Sequence, residues 1–277
     1  MNLFEIIDQI EKVDPEVQER LNSRRSAIKN ITSFGSKVAI ASLPFALGTM
    51  FKKAYGATPT TVVDVLNFAL TLEYLEAEFY NTGTQKGVIP ANNATYLSNI
   101  TRDENNHVKF LQTVIAQLGG TAVAKPRMDL SGGGGNGQGP FKNAFTDYSL
   151  FLTAAQAFED TGVRAYKGQA GALKGNQVVL TAALSIHAVE ARHAAAIRQL
   201  RHDLGSATTK PWIVSTAAKG NDTGVGLVDG NYAGEENTTH LDINTTTLAS
   251  VGIATAAFDE PLTYDQVIAL LAPSFLY

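Results

Sequence analysis

The sequence contains no cysteine among its 277 residues. Disulfides, thiolate metal ligands and cysteine nucleophiles are therefore excluded, and a metal site would have to use oxygen and nitrogen ligands. A surplus of basic residues is also lacking, because 22 Lys and Arg stand against 26 Asp and Glu. Nucleic-acid-binding proteins usually cluster Lys and Arg on one surface, so this composition argues against nucleic acid as a partner.

Long apolar runs and a phosphate-binding loop are missing as well. No uninterrupted apolar run reaches the roughly 20 residues that a membrane-spanning helix needs, which argues against a permanent transmembrane anchor. The segment GGGGNGQGP at 132–140 lacks the Lys-Ser/Thr that follows the glycines of a phosphate loop. We expect this segment to be a flexible connection.

The N-terminal segment, 1–57, differs from the rest of the chain. Residues 1–22 are acidic and have the apolar spacing of a helix. Arg24-Arg25 then precedes a moderately apolar stretch, and Ala54-Tyr55-Gly56 offers a small-residue cleavage site. This arrangement resembles a twin-arginine signal and predicts export, for example to the periplasm. The alternative is a cytoplasmic protein whose uncleaved N-terminal helix packs on the body or on another subunit.

Residues 58–204 predict four long helices of one bundle. They run from Thr60/Thr61 through Tyr80, from Asn92/Asn93 caps through Leu118, over about 145–167, and from near Asn176 to about 204. Short glycine-containing segments join the first helix to the second and the third to the fourth, so each pair is expected to be an antiparallel hairpin. The connection 119–144 is long enough to run the length of a bundle. The pattern predicts an all-α fold, a four-helix bundle with a long crossover between helices 2 and 3.

Residues 205–277 form a predicted C-terminal extension that packs on the bundle. The extension is rich in Thr, Gly and Asn and has no helical period until PLTYDQVIALLAP. There Thr263 and Gln266 make a capping-box pattern, which predicts a short amphipathic helix.

Two of the predicted helices carry the same pair of metal-binding side chains. Glu104 and His107 lie in DENNH, and Glu190 and His193 lie in VEARH. A glutamate and a histidine three residues apart share a helix face, so both can reach one metal ion. One such pair is weak evidence of a site, and two pairs are stronger.

Each pair is preceded by another glutamate at the same interval. Glu73 lies 31 residues before Glu104, and Glu159 lies 31 residues before Glu190. A tyrosine follows each of these glutamates after seven residues, two turns along the same helix face. The positions that repeat with a shift of 86 are Glu73/Glu159, Tyr80/Tyr166, Glu104/Glu190 and His107/His193.

The other acids of the first helix do not repeat. Glu76 corresponds to Gly162 and Glu78 to Arg164. We therefore predict that Glu76 and Glu78 are solvated charges on the helix surface. We predict the same for Asp103, with a supporting contact to a metal ligand as its alternative.

Four inward-facing carboxylates require compensation in a bundle core. They repel one another and are driven toward protonation unless cations balance them. Two divalent ions would do so, and the oxygen-rich ligand set suits iron or manganese. The hydroxyls of Tyr80 and Tyr166 would donate hydrogen bonds to ligating carboxylates of the neighbouring helix. The alternative is a buried polar network without metal.

Several segments resemble the ferritin-like domain family. They are LNFALTLEYLEAEFY, DENNHVKFL, HAVEARHAAAIR and AFDEPLTYDQVIALLAP. The branch that they resemble includes plant desiccation-related proteins and bacterial exported members, and it is more distantly similar to rubrerythrin, bacterioferritin and manganese catalase. The resemblance implies a ferritin-like four-helix bundle with two divalent metal ions, iron or manganese, held by Glu73, Glu104, His107, Glu159, Glu190 and His193.

Three functions are compatible with this pattern. The first is an oxidoreductase that acts on oxygen or hydrogen peroxide, as a ferroxidase, a peroxidase or a catalase-like enzyme. A peroxidase would need an external reductant, because the chain lacks a cysteine-ligated iron site to deliver electrons. The second is a structural or stress-protective metal-binding protein without turnover, and the third is iron storage. We expect a homo-oligomer.

Overall fold

The computed structural model describes residues 61–214, 223–240 and 242–277. The predicted N-terminal helix and twin-arginine signal, within 1–57, lie outside these residues. Within the described ranges, no helix has both the length and the apolar character that a membrane span requires.

Four long helices make up the body of the protein, as predicted. They are α1 (Val62–Lys86), α2 (Ala94–Gln117), α3 (Tyr148–Gln169) and α4 (Gln177–Asp203). Helix α1 packs most extensively against α2, and α3 against α4, while α1 also contacts α3. The predicted all-α bundle with a crossover between the second and third helices is therefore confirmed.

Three of these helices begin at a side chain that caps the backbone. Thr61 and Asp64 form a capping box at α1, and the carboxylate of Asp147 and the amide oxygen of Asn176 accept backbone N–H groups at α3 and α4. The predicted cap of α2 is wrong, because Asn93 makes no side-chain hydrogen bond to its helix. Its amide instead donates to the Tyr148 hydroxyl at 2.9 Å, which ties the start of α2 to the start of α3.

Helix α1 is longer than predicted. It continues past Tyr80 to Lys86 and ends at Gly87, whose φ of 69° is left-handed. Gly83 lies inside this last part of the helix, where a Cβ would meet the Phe151 ring at 2.4 Å. The ring of Phe151 stacks on Phe79 with centroids 4.6 Å apart. Gly83 is therefore a position of close packing between α1 and α3, whereas a helix that ends at Tyr80 would place it in the connecting segment.

The glycine-rich crossover is folded around one carboxylate, whereas the sequence predicts a flexible connection. The Asp129 side chain accepts backbone N–H groups from Ser131, Gly135 and Gly137 at 2.8–3.0 Å. Burial raises the pKa of Asp129, but the hydrogen bond from the Ser131 hydroxyl and these backbone bonds outweigh it, and the net shift is downward. The backbone N–H of Asp129 donates to Phe275 O at 2.9 Å, so the crossover is also bonded to the C-terminal end of the chain.

The C-terminal extension contains short elements. They are α5 (Gly226–Asp229), β1 (Thr239–His240), β2 (Ile243–Asn244), α6 (Val251–Ala256) and α7 (Tyr264–Leu271). The two strands pair antiparallel, with Thr239 opposite Asn244. The predicted capping box of Thr263 and Gln266 is present at α7, and this helix packs against α3.

Arg164 connects the extension to the bundle. Its side chain is 1% exposed, and its guanidinium donates to the backbone carbonyls of Asn231, Ala233 and Glu260. The Glu235 carboxylate lies 3.0 Å from Arg164 Nε. A planar guanidinium with several donors suits such a buried set of carbonyls. The bundle and the extension therefore share one buried polar anchor.

Candidate metal centre

Each long helix places one glutamate in the centre of the bundle. Glu73 on α1, Glu104 on α2, Glu159 on α3 and Glu190 on α4 are all 0% exposed. Each lies among apolar positions that follow the helical period, so the face that forms the core also carries the carboxylate. The histidines one turn further along α2 and α4, His107 and His193, are almost as deeply buried.

His107 lies against three carboxylates at once. Its Nδ1 atom is 3.1 Å from Glu73 Oε2, 3.2 Å from Glu104 Oε2 and 3.2 Å from Glu190 Oε1. One N–H group cannot donate well to three acceptors on three different helices. A cation bound between these three oxygens and the imidazole nitrogen would be coordinated by all four atoms.

His193 lies at the equivalent place in the second half of the bundle. Its Nδ1 atom is 2.8 Å from Glu104 Oε1 and 3.4 Å from Glu159 Oε2. The shorter contact lacks hydrogen-bond geometry, and neither of its two atoms has a hydrogen-bond partner. The rings of His107 and His193 are separated by 6.3 Å between centroids.

The six side chains form two overlapping groups of ligand atoms. Within each group the atoms lie no more than 4.8 Å from one another. One group is Glu73, Glu104, His107 and Glu190, and the other is Glu104, Glu159, Glu190 and His193. Glu104 and Glu190 belong to both groups, which is the position of carboxylates that bridge two ions.

Unsatisfied polar atoms indicate that the residues fit such ions. Glu159 Oε2 and both carboxylate oxygens of Glu190 are buried without a hydrogen-bond partner. A buried polar atom without a partner costs roughly 1–3 kcal/mol, and more when the group is charged. Metal coordination would satisfy these oxygens, whereas a metal-free polar network leaves them unpaired.

The two tyrosines support carboxylates of the opposite hairpin. Tyr80 on α1 donates to Glu159 Oε1 on α3 at 2.5 Å, and Tyr166 on α3 donates to Glu73 Oε1 on α1. The predicted hydrogen bonds are therefore present, and they cross between the two hairpins in both directions. Burial first and then the nearby carboxylates raise the pKa of both phenols, so each hydroxyl keeps its proton at neutral pH.

The cluster holds protons when no cation is bound. Burial first, then the charges of Glu104 and Glu73, raise the pKa of Glu190, and burial raises that of Glu104 to about 7. Burial alone would lower the pKa of His193, but the neighbouring carboxylates, Glu159 foremost, raise it to about 11. They raise the pKa of His107 as well. Cations that bind here would replace these protons.

The prediction that Glu76 is a solvated charge is wrong. Glu76 is 3% exposed, and burial first and then the Glu190 charge raise its pKa. The signal was available in the sequence, because Glu76 lies three residues after Glu73 and so shares its inward face. Glu78 does lie at the surface and pairs with Lys125, and Asp103 is partly exposed with one oxygen 3.6 Å from His193 Nε2.

These features define the class of four-helix bundles in which inward-facing carboxylates and imidazoles meet at the centre. The chain belongs to the ferritin-like domain family, whose profile matches residues 61–203, just over half of its length. The matched range contains all six side chains of the cluster. No curated protein matched the chain.

Proposed function

We propose that this protein binds two divalent cations, iron or manganese, and acts as an oxidoreductase on oxygen or hydrogen peroxide. The observation that carries this proposal is the convergence of three carboxylates on His107 Nδ1, together with the unsatisfied oxygens of Glu190 and Glu159. Hard oxygen ligands with one imidazole for each ion favour iron or manganese over metals that prefer thiolates.

The bound metals would supply the electron transfer to oxygen or peroxide. Glu104 and Glu190 would hold both ions, while Glu73 with His107 and Glu159 with His193 would complete the two positions. The list of side chains matches the four-glutamate, two-histidine set known for di-iron and di-manganese bundles.

The tyrosines would orient the carboxylates and keep protons close to them. Tyr80 holds Glu159 and Tyr166 holds Glu73 through one carboxylate oxygen each, which leaves the other oxygen of each carboxylate directed at a histidine. Such supporting hydrogen bonds fix ligand geometry in metal sites. The two hydroxyls are also the nearest buried proton donors to these carboxylates.

The source of electrons separates the reactions within this proposal. The chain has no cysteine and hence no cysteine-ligated iron site of its own. A peroxidase reaction would draw on an external reductant, whereas disproportionation of hydrogen peroxide needs none. Export through the twin-arginine route remains a prediction from residues 1–57.

A structural role for the metals is the second candidate. Four fully buried carboxylates destabilise the metal-free bundle, so two cations would stabilise the fold even without turnover. This candidate predicts a large rise in melting temperature on metal binding without consumption of peroxide or oxidation of ferrous iron.

The test compares metal-free protein loaded separately with ferrous iron and with manganese. We expect two ions per chain and turnover of hydrogen peroxide or of ferrous iron with at least one of them. Glu104→Gln should lose both the ions and the turnover, while the surface variant Glu78→Gln should keep both. Two bound ions without turnover under either loading would reject the oxidoreductase proposal and favour the structural one.

A further inference from the structure

A fifth carboxylate, Glu76, lies beside the cluster of four glutamates and two histidines. It is on α1, one turn beyond Glu73, and is 3% exposed. Its Oε2 atom is buried and makes no hydrogen bond to any residue of the described chain. An unpaired buried carboxylate is costly, so its position calls for a compensating group.

The residue opposite Glu76 leaves room for its carboxylate. Gly162 on α3 has no side chain, and a Cβ at that position would lie 3.1 Å from Glu76 Oε1 and 2.9 Å from Glu190 Oε2. The two oxygens therefore flank the same small space. Any side chain at 162 would compete for it, so the glycine allows the Glu76 carboxylate to approach Glu190.

The surroundings of Glu76 offer carboxylates and apolar groups. A small pocket adjoins it and is lined by Leu72, Leu75, Phe158, Leu271 and Thr161, whose hydroxyl donates to the backbone carbonyl of Ala157. The charges that act on Glu76 most strongly are those of Glu190, Glu104, Glu73 and Glu159, and all are negative. The nearest buried arginine on α3, Arg164, is engaged by the C-terminal extension. A bound cation or a proton would balance the Glu76 carboxylate here.

We propose that Glu76 is a further metal ligand, which joins the ion pair on the side of Glu190 and makes the two metal positions unequal. This inference rests on the proposed metal centre. It adds that the first hairpin supplies an extra carboxylate, whereas the second hairpin has Gly162 at the corresponding position. A seven-ligand set would bind one of the two ions more tightly than six symmetric ligands would.

The test is a titration of the metal-free protein with Mn²⁺, in which free Mn²⁺ is followed by electron paramagnetic resonance. We expect wild-type protein to bind two ions with different affinities. Glu76→Gln removes the charge and keeps the shape, and it should weaken one of the two steps by about tenfold or more. Glu78→Gln is the matched control on the same helix, and it should leave both steps unchanged.

A second measurement separates ligand loss from damage to the fold. Glu76→Gln keeps the size and shape of the side chain, so the metal-free variant should be at least as resistant to heat as metal-free wild type.

The outcomes distinguish this inference from the proposal on which it rests. If wild-type protein binds two ions and Glu76→Gln binds them with the same two affinities, the role of Glu76 is overturned and the metal centre stands. If wild-type protein binds no metal, both are overturned.

Discussion

The two hairpins of the bundle are alike at the centre and different beside it. Under the shift of 86 residues, α1 and α2 superimpose in sequence on α3 and α4 at the glutamates, the histidines and the tyrosines. One turn away the match ends, because Glu76 corresponds to Gly162 and Glu78 to Arg164. The first hairpin thus adds a carboxylate, and the second adds the arginine that fixes the C-terminal extension.

The comparison shows that the repeated residues are those at the centre of the bundle. The four glutamates, the two histidines and the two tyrosines of the centre appear in both halves. The residues that flank them and meet different neighbours differ between the halves. The surface partner of Glu78 is Lys125 of the crossover. The partners of Arg164 lie in the C-terminal extension and are Asn231, Ala233, Glu235 and Glu260. The two halves therefore differ at positions 78 and 164 because one contacts the crossover and the other contacts the C-terminal extension.

The largest expected effect is the loss of both metal ions when a glutamate shared by the two ligand groups is replaced. Glu104→Ala and Glu190→Ala each remove a carboxylate that belongs to both ligand groups, so each should abolish binding of both ions. Metal content after loading and desalting measures this. A variant that still retains two ions would show that its glutamate is not a shared ligand.

The next effect tests the anchor that only the second hairpin has. Arg164→Met leaves Glu235 and three backbone carbonyls without their donor, and it should cost about 3–5 kcal/mol of unfolding free energy. Urea denaturation of the metal-loaded protein measures this loss. The corresponding first-hairpin change, Glu78→Gln, should cost less than about 0.5 kcal/mol because its ion pair is exposed. Equal losses in the two variants would contradict the anchor.

Variants of the two tyrosines test whether the two halves stabilise their metal ligands equally. Tyr80→Phe and Tyr166→Phe each remove one hydrogen bond to a carboxylate, and each should weaken metal affinity by about 10–100-fold. Calorimetric titration of the two variants gives the comparison. No change in either variant would mean that these bonds do not hold ligands.

The change in metal affinity per pH unit is the smallest of these effects, and it applies to the cluster as a whole. Burial raises the pKa of Glu104 to about 7, and carboxylates outweigh burial to raise that of His193 to about 11. His193 therefore holds a proton at neutral pH, Glu104 takes one up as the pH falls through about 7, and a cation must displace these protons. Metal affinity should fall with acidity, by about tenfold per pH unit for each proton released.

Titrations at pH 6, 7 and 8 in two buffers of different ionisation enthalpy would measure both the affinity and the protons released. An affinity that does not change over this range would contradict the protonation of the cluster.

The sequence was sufficient to predict the helices and the cluster because both depend on spacing along one chain. The Glu-x-x-His pairs and the common interval of 31 residues identify Glu73 and Glu159, and the structure brings them together. The crossing hydrogen bonds of Tyr80 and Tyr166 follow from the same register.

Features that depend on contacts between helices could not be predicted in the same way. The sequence places Gly83 in a connecting segment, but the position is helical and lacks room for a side chain because the ring of Phe151 packs against it. The sequence predicts Asn93 as a helix cap, but its side-chain amide donates to the Tyr148 hydroxyl. The inward direction of Glu76 follows from its spacing after Glu73, but its fit beside Glu190 depends on the missing side chain of Gly162 across the helix interface. Each case is decided by a neighbour more than 50 positions away in the sequence.

Anomalous X-ray diffraction from crystals of the metal-loaded protein, recorded at the iron and manganese absorption edges, tests the central claim most directly. We predict two anomalous peaks in the bundle centre, one at Nδ1 of His107 and one at Nδ1 of His193, with the carboxylates of Glu104 and Glu190 shared between them. An absence of peaks at this position in the loaded protein, or metal bound only elsewhere, would contradict the account.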